Sequence, residues 1–418
     1  MLWEALLPPS EMGNPARMIT GVDGYELTFA DGNQAICLTS GLWNVNFGYG
    51  NRFVADRIDQ VCSKLHYATL FRHSHPDAHE VAERMLQKIG WPEGAVVFST
   101  SGSALNDSIV KLALHRAALT GNPRAKTVVS AAGSYHGMTI NSMQLSGDDL
   151  NQALYGARSP RYVHLPADDP KPWQDFFQTR GSTVALVMLE PLLGTGAYPL
   201  SADVLDVIFQ ARREHDFLLA ADEVAVGFYR LGKLAASLGW HEPPDVIGFS
   251  KGLTNGTEAS ALMVISPSVT DEFVEADSMF VHGETQAGSP MATAAILGVL
   301  DFLNSVDIEA IYDRLNATVE SDLRDLANRY GCELRGQGLF RFLGVPKNLL
   351  QEPSDDFSGL KLHDHFLSHG ISVQPSEGGI QVIPPITLPV ATWKEAVRRL
   401  DDGLRDLVSI GEVKTGSQ

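Results

Sequence analysis

Short apolar runs alternate with helix-like patterns of apolar and polar residues between about residues 96 and 300. The clearest runs lie at residues 96–98, 127–129, 184–189, 217–221 and 246–249. Continuous apolar runs of this length, separated by helices, are typical of strands that are buried on both faces of a mostly parallel sheet. The pattern therefore predicts a large α/β domain in the middle of the chain.

The two ends of the chain carry a different pattern. In residues 24–32, apolar and polar residues alternate up to Asp31-Gly32, a pair that favours a β-hairpin turn. Apolar residues recur at helical spacing in residues 308–326 and again in 396–407. We expect both chain ends to build a smaller α+β domain, which takes its N-terminal segment from residues 1–45 and its C-terminal part from 305–418. The large domain is then expected at 46–304.

The composition disfavours some classes of binding partner. The 418 residues include 50 acidic and 32 basic ones, which gives a formal net charge of −18. This charge disfavours binding to nucleic acid or to anionic membrane surfaces. Cys37, Cys62 and Cys332 have neither disulfide-framework nor zinc-site spacing, as expected for a reducing cytoplasm. Because no apolar run approaches the ~20 residues of a membrane span and no basic flank precedes an apolar N-terminus, the sequence predicts an untargeted cytoplasmic protein.

Charged residues follow three of the predicted strands. Glu190, Asp222 and Lys251 each stand one or two positions beyond the end of an apolar run. In an open α/β sheet, ligands bind at the carboxyl ends of the strands. A lysine there is partly desolvated, which frees its amine to condense with an aldehyde, and a carboxylate can pair with a pyridinium nitrogen. Lys251 and Asp222 are therefore candidates for a cofactor site, although each alone is also compatible with a surface lysine or a strand-end cap.

Two further segments are candidates for cofactor contacts. Thr100-Ser101-Gly102-Ser103 separates a predicted strand from a helical pattern, and such a turn presents backbone N–H groups and the helix dipole to a phosphate. The same small residues also serve as ordinary helix caps. Tyr135, within Ser134-Tyr135-His136-Gly137, follows another predicted strand, where its ring can stack on a planar cofactor or simply pack in a turn.

Taken in order, seven segments resemble the class III, fold-type I aminotransferases that depend on pyridoxal 5′-phosphate (PLP). This family includes ω-amino acid:pyruvate, ornithine-type and diaminopelargonate aminotransferases. The resemblance spans nearly the whole chain and implies the fold-type I architecture, with a mostly parallel sheet in the large domain. The segments are 41–50, Ser101-Gly102-Ser103, Ser134-Tyr135-His136-Gly137, Glu190-Pro191, 222–230, 249–253 and 282–290.

The resemblance implies a role for each of these motifs. Lys251 would carry PLP as a Schiff base and move the substrate proton, and Asp222 would bind the pyridine nitrogen. Gly102 and Ser103 would hold the phosphate. The other implied cofactor residues are Tyr135 and Val224 on the two ring faces, His136 and Glu190 beside the cofactor, and Thr285 on the phosphate of a neighbouring subunit. A homodimer with active sites at the interface follows from this likeness, and so does a place for Trp43 in the substrate pocket.

Three positions depart from the family pattern; the first two alter the surroundings of the cofactor, and the third affects the expected substrate. Ala104-Leu105 replaces the usual Glu-Ala, and Ser289 replaces the histidine of Gly-His-Pro. Gln374 stands near the place where many relatives carry an arginine that clamps a substrate carboxylate. The absence of this arginine favours a substrate whose reacting amine or carbonyl has no adjacent carboxylate. A peptide terminus, as in the daptide-type branch of natural-product enzymes, is an example. The expected partners are an amino donor and a carbonyl acceptor, used in ping-pong transamination.

Several alternatives stay open at the level of sequence. An aminomutase, decarboxylase or racemase of the same family would share Lys251 and Asp222. A metallohydrolase is a distant alternative because residues 73–79 approach a His-x-His-x-Asp-His loop, but the register is off by one and no metal is expected. An ATPase is disfavoured because Leu234 stands where a phosphate loop needs a hydroxyl. A non-enzymatic binding protein on the same scaffold is also compatible with the sequence.

Overall fold

The computed structural model describes residues 2–345 and 358–415 and divides into two compact units. The first unit consists of Met1–Gly50, Ile311–Arg335 and Leu339–Gln418. The second consists of Asn51–Ala310 with Gly336–Gly338. Both ends of the chain thus belong to the first unit, and the three charged strand ends singled out in the sequence belong to the second.

The strands are numbered in chain order. They are β1 Ile19–Asp23, β2 Glu26–Phe29, β3 Gln34–Cys37, β4 Ala95–Ser99, β5 Thr127–Ala131, β6 Tyr162–Leu165, β7 Val184–Leu189, β8 Leu192–Leu193, β9 Tyr198–Pro199, β10 Leu218–Asp222, β11 Val246–Phe249, β12 Ala261–Ile265, β13 Leu334–Gln337, β14 Phe340–Gly344, β15 Ile371–Ser372, β16 Gln374–Ser376 and β17 Gly379–Val382. All five apolar runs predicted as strands are strands, with bounds that differ by two residues at most.

The helices are numbered in the same way. They are α1 Ser40–Trp43, α2 Arg52–Cys62, α3 Pro76–Ile89, α4 Gly102–Leu119, α5 Ile140–Leu145, α6 Pro170–Arg180, α7 Ala202–His215, α8 Pro267–Glu275, α9 Pro290–Ser305, α10 Ile308–Tyr330, α11 Ser358–Ser368 and α12 Val390–Thr415. The helical spacings near residues 308–326 and 396–407 correspond to α10 and α12. Over the described part of the chain, no single helix is long and apolar enough to cross a membrane; one bent pair, α9 with α10, meets that criterion by length and composition only.

The second unit contains a seven-stranded sheet in the order β4-β12-β11-β10-β7-β5-β6. Its strands are parallel except β12, which is antiparallel to both of its neighbours. Because the carboxyl ends of the parallel strands meet at one edge, the residues that follow β4, β5, β7, β10 and β11 are brought to the same side of the sheet. The prediction of a mostly parallel α/β sheet is confirmed.

Helices cover both faces of this sheet, which explains the continuous apolar runs. Leu186 and Met188 of β7 pack in a cluster with the buried side of α4. Val187 and Leu189, which point the other way, pack in a second cluster with Trp173 of α6 and with α7. Since successive side chains of a strand face opposite sides, every residue of β7 has to be apolar to be buried.

Two further four-stranded sheets have the orders β1-β2-β3-β15 and β13-β14-β17-β16. β2 and β3 form the predicted hairpin: its turn contains Asp31, whose Oδ1 accepts from the N–H of Asn33 at 3.0 Å. β15 comes from the C-terminal part of the chain and pairs in parallel with β3. The smaller α+β region is therefore built from both chain ends, as the sequence predicted.

Candidate active site

Lys251 begins a short 3-10 turn two residues after β11 ends. Its φ of 47° is in the left-handed region, which for a lysine costs about 1–2 kcal/mol and persists only where the surroundings hold it. Ser250 contributes to this restraint, because its hydroxyl donates to the carbonyl of Ser260 at 2.8 Å. The chain is thus bent so that Lys251 stands at the edge of the sheet.

The amine of Lys251 is in an unusual electrostatic environment. Burial lowers its pKa from the ordinary lysine value, and the negative charges of Asp222 and Glu190 oppose this shift only in part. A larger share of the amine is therefore neutral near physiological pH, and a neutral amine can act as a nucleophile or as a base. The two carboxylates predicted from the sequence do act on this lysine.

Asp222 is the last residue of β10 and is only 3% exposed. Its Oδ2 accepts hydrogen bonds from Nδ1 of His136 and from Nδ2 of Asn106, both at 2.8 Å, and its Oδ1 accepts from the N–H of Val224 at 3.0 Å. Burial alone would raise the pKa of this carboxyl, but the hydrogen bond and the charge of His136, with the other two donors, hold its pKa below the ordinary value. Asp222 is therefore kept as an anion inside the protein.

His136 lies behind Asp222 and is 2% exposed. Burial disfavours its charged form, yet the hydrogen bond to Asp222 and the charges of Asp222 and Glu190 raise its pKa above the ordinary histidine value. Its backbone N–H donates to the hydroxyl of Ser146 at 2.8 Å, which fixes the loop after β5. The pair His136–Asp222 thus behaves as one buried, hydrogen-bonded charge group.

Glu190 follows β7 and is 3% exposed. Its two carboxylate oxygens accept from the backbone N–H groups of Tyr135 at 2.9 Å and Gly194 at 3.0 Å. Burial raises its pKa; the charge of His136 opposes that rise and the charge of Asp222 adds to it. Glu190 therefore fixes the loop that carries Tyr135 and His136, and its ionised form opposes the lowering of the pKa of Lys251.

Tyr135 and Val224 lie close to these charged groups. The phenol pKa of Tyr135 is raised, first by burial and then by the negative charges of Asp222 and Glu190. Val224 packs against the start of α4, because a Cβ atom added to Gly102 would lie 3.2 Å from Val224 Cγ1. The end of β10 and the N-terminus of α4 are thus in direct contact.

The small-residue turn forms the N-terminus of α4. The hydroxyl of Ser101 caps the helix by accepting from the N–H of Ala104 at 3.2 Å, and Gly102 is the first helical residue. The hydroxyl of Ser103 accepts from the N–H of Met138 at 3.2 Å. A Cβ atom at Gly137, whose φ is 127°, would lie 2.2 Å from Ser103 Oγ, so only glycine lets the two loops meet here. This cradle has the helix N-terminus and the hydroxyls that a phosphate requires.

Sequence reasoning missed Asn106. It lies four residues into α4, is 1% exposed, and donates both to Asp222 and to the carbonyl of His136. One signal could have revealed it, because Asn106, Ile109, Val110 and Ala113 follow the spacing of a buried helical face. An asparagine at such a position requires buried hydrogen-bond partners.

Thr285 is exposed, and its carbonyl accepts from the hydroxyl of Tyr67 at 3.0 Å. The adjacent Glu284 ties this segment to the end of β4, since its Oε2 accepts from the N–H of Thr100 at 3.2 Å and its Oε1 accepts from the hydroxyl of Ser99. The segment is therefore anchored beside the cradle. The role of Thr285 toward a second subunit stays a prediction.

Trp43 and Gln374 belong to the first unit. Trp43 ends α1, a left-handed turn in which Ser40, Gly41, Leu42 and Trp43 have φ between 48° and 64°. The turn is held by the hydroxyl of Ser40, which donates to the carbonyl of Ile383 at 2.7 Å. Gln374 is half-buried in β16, which pairs with β17.

The structure also bears on the rival functions. Both ring nitrogens of His75 are engaged within the protein, since Nδ1 accepts from the N–H of Ala78 at 3.4 Å and Nε2 is 2.7 Å from the carbonyl oxygen of Gly288. This histidine is a helix cap. Residues 227–234 fold back on themselves, with the N–H of Phe228 donating to Leu234 and that of Tyr229 to Lys233. They lead into a short 3-10 helix at Ala236–Gly239 and not into an α-helix, so they lack the geometry of a phosphate loop.

Together these residues fit PLP. A lysine with a lowered pKa, a buried aspartate held as an anion and a helix N-terminus with a glycine that allows close approach match the aldehyde, ring nitrogen and phosphate of that cofactor. The model of the family "Aminotransferase class-III" matches residues 9–404. The chain belongs to the class III aminotransferase family, and it is a PLP-dependent aminotransferase.

Individual relatives match this chain over nearly its whole length. The putrescine–pyruvate aminotransferase of Pseudomonas aeruginosa is 27% identical, and the match covers 94% of each protein. The isoleucine 2-epimerase of Lentilactobacillus buchneri is 28% identical and matches over 95% of this chain and 91% of its own length. The solved structure of the PMP-bound form of an aminotransferase from Vibrio fluvialis superposes with a TM-score of 0.89 at 23% identity and covers 98% of this chain and 96% of its own. This last likeness supports the fold.

Proposed function

We propose that the protein transfers an amino group from an amine or amino acid donor to a ketone or aldehyde acceptor in two half-reactions. In the first, the donor loses its amino group and one carbon-bound hydrogen and leaves as a carbonyl compound. In the second, the acceptor gains both and leaves as an amine. The observation that carries this proposal is the amine of Lys251, whose pKa is lowered by burial and which faces the charges of Asp222 and Glu190.

Bound PLP supplies an aldehyde that takes up and returns the amino group, and a ring that withdraws electrons from the carbon that loses its proton. Asp222 is proposed to bind the pyridine nitrogen, because the site holds its carboxylate as an anion. Gly102 and Ser103 are proposed to hold the phosphate, and Tyr135 and Val224 to contact the two ring faces. His136 and Glu190 support this set through Asp222 and through the backbone of Tyr135.

Lys251 is proposed as the residue that binds PLP covalently and then moves the proton. A neutral amine accepts a proton from the reacting carbon, and the resulting ammonium returns a proton to the neighbouring position. Because burial lowers the pKa of Lys251, its neutral form is more accessible than that of an exposed lysine. A base of this kind contributes on the order of 10²- to 10⁴-fold to a rate.

The substrate is proposed to lack a carboxylate next to its reacting group. Gln374 is uncharged and cannot form the bidentate pair that an arginine makes with a carboxylate. Simple amines or a peptide terminus are therefore the proposed substrates, with Trp43 in the pocket. The proposed assembly is a homodimer in which Thr285 of one subunit reaches the phosphate site of the other.

A single-turnover experiment tests the reaction type. The PLP-loaded protein is mixed with excess amine and no acceptor, and the carbonyl product is counted per active site. Amino transfer predicts a stoichiometric burst that stops until a carbonyl acceptor is added. An epimerase would instead invert the configuration of the amine and release no carbonyl product, and a decarboxylase would release carbon dioxide. Either of these outcomes would contradict the proposal.

Two lysine variants provide the matched control. Lys251→Ala should remove the burst, whereas Lys233→Ala should retain it, because Lys233 is an exposed lysine paired with Glu309.

Donor profiling then tests the substrate class. Strong turnover confined to α-amino acids with pyruvate or 2-oxoglutarate would contradict the proposed preference for substrates without a carboxylate.

A further inference from the structure

Asn106 connects the two ends of the candidate cofactor site. It lies one turn after Gly102, the residue that begins α4 and the phosphate cradle. Its side chain reaches Asp222 at the end of β10 and the carbonyl of His136 in the loop after β5. A single amide thus joins the helix that starts at the cradle to the carboxylate that is proposed to bind the ring nitrogen.

The orientation of this amide is fixed by its surroundings. The Nδ2 group has two hydrogens, and both are used at 2.8 Å, one by Asp222 Oδ2 and the other by the carbonyl of His136. The Oδ1 atom is buried and has no hydrogen-bond partner among the described residues. A flipped amide would direct Oδ1 at two acceptors, which would be repulsive. Asn106 therefore acts only as a donor here.

Asp222 depends on such donors for its position. Its Oδ2 receives one hydrogen bond from Asn106 and one from His136, while Oδ1 is held by the N–H of Val224. If Asn106 were truncated, the carboxylate would keep only one donor on Oδ2 and could rotate about its χ2 bond. The loss of a hydrogen bond to a buried charge is costly because the charge cannot find water instead.

We propose that Asn106 is a positioning residue that fixes Asp222 for its contact with the pyridine nitrogen, and so determines how strongly the protein distinguishes that nitrogen in its cofactor. The inference rests on the proposed role of Asp222. It assigns Asn106 no direct chemical step, since its amide hydrogens are both engaged within the protein.

The test compares the affinity of the apo-protein for PLP with that for 1-deaza-PLP, in which a carbon replaces the ring nitrogen. Equilibrium dialysis measures both without any turnover. In Asn106→Ala, PLP binding should weaken roughly 10- to 100-fold, the range expected for one hydrogen bond to a charged group. Binding of 1-deaza-PLP should change much less. Asn122→Ala is the matched control, because Asn122 also donates a hydrogen bond, to the carbonyl of Ser182, but this bond is exposed to solvent.

Equal losses for both cofactors would overturn the proposal, since they would mean that Asn106 has a structural role only. An unchanged affinity for PLP would overturn it as well. Measurements on the unsubstituted protein distinguish a failure of the role proposed for Asn106 from a failure of the role proposed for Asp222. If it binds PLP and 1-deaza-PLP equally well, Asp222 does not contact the ring nitrogen, and it is the assignment of Asp222 that fails.

A second variant keeps the proposal testable if Asn106→Ala does not fold. Asn106→Asp retains the shape of the side chain but places a second carboxylate against Asp222, so that one proton becomes shared between them. The protonated form can donate one hydrogen bond to Asp222. PLP binding by this variant should therefore tighten as the pH falls, relative to the unsubstituted protein measured in parallel. The same pH profile for both proteins would contradict the positioning role.

Discussion

The Nδ1 atom of His136 lies 2.8 Å from the Oδ2 atom of Asp222, and both side chains are almost completely buried. A buried carboxylate is costly unless it is paired and hydrogen-bonded. The pair therefore explains how an aspartate at the end of a buried strand stays ionised. It also links the stability of the protein to the protonation of both residues.

The pH dependence of this pair can be measured on the apo-protein. The folded pKa of His136 is raised, so its stabilisation is fully present below its unfolded value of about 6.5 and is lost as the pH rises through the folded value. The folded pKa of Asp222 is lowered, so its stabilisation is present above about 3.9 and is lost as the pH falls through the folded value. Between about pH 3.9 and about pH 6.5, His136 and Asp222 therefore both contribute to the stability of the folded protein.

His136→Gln isolates the histidine contribution, because glutamine can still donate to Asp222 but does not titrate. The melting temperature of this variant should fall below that of the parent by a few degrees at about pH 6, and the difference should shrink at about pH 9. Glu190 also faces His136, but it titrates in both proteins. A difference that stays constant or grows with pH would contradict the raised pKa of His136.

Asp222→Asn tests the charge of the aspartate directly. The substitution keeps the shape of the side chain, so circular dichroism of the apo-protein should be unchanged. Turnover should fall on the order of 100-fold or more, because the buried charge that is proposed to pair with the ring nitrogen is lost. Asp175→Asn is the control, since Asp175 forms only an exposed pair with Lys171. Near-normal turnover of Asp222→Asn would remove Asp222 from the mechanism.

Gly137→Ala tests the contact between the cradle and the loop after β5. The new Cβ would collide with Ser103 Oγ, and PLP binding should weaken roughly 10-fold if a hydrogen bond to the phosphate is lost. Gly121→Ala is the matched control, because Gly121 also has a positive φ, of 89°, but has no atom within 4 Å of the added Cβ. Both variants bear backbone strain. Equal effects of the two on PLP affinity, measured by dialysis, would mean that Ser103 does not hold the phosphate.

Gln374→Arg tests the proposed preference for substrates without a carboxylate. An arginine can form a bidentate pair with a keto acid, so the KM for pyruvate should fall roughly 10-fold. Gln374→Met is the control, since methionine is of similar length and uncharged. If neither variant changes the KM for pyruvate, position 374 does not contact the acceptor.

Much of this account could be predicted from the sequence because the determinants are local. The apolar runs of β7 and β10 show strands buried on both faces, and the charged residues beyond strand ends mark the ligand-binding edge. This reasoning predicts Lys251, Asp222 and Glu190 as site residues. The charges of both carboxylates oppose the lowering of the lysine pKa by burial.

Other features depend on contacts between distant parts of the chain. The direction of β12 is set by its pairing with β4 and β11, and its apolar sequence is compatible with either direction. The left-handed turn of α1 depends on Ser40, which is tied to Ile383, more than 300 residues away. The role of Asn106 could not be predicted in the same way, because one of its partners ends β10 and the other lies in the loop after β5.

The most direct test of the central claim is to identify the residue that binds PLP covalently. The purified protein is loaded with PLP, its visible absorption is recorded, the bond is reduced with borohydride, and the labelled peptide is mapped. The account predicts an absorption band in the visible or near-ultraviolet range and a label on Lys251. A label on another lysine, or a protein that takes up no PLP, would contradict it.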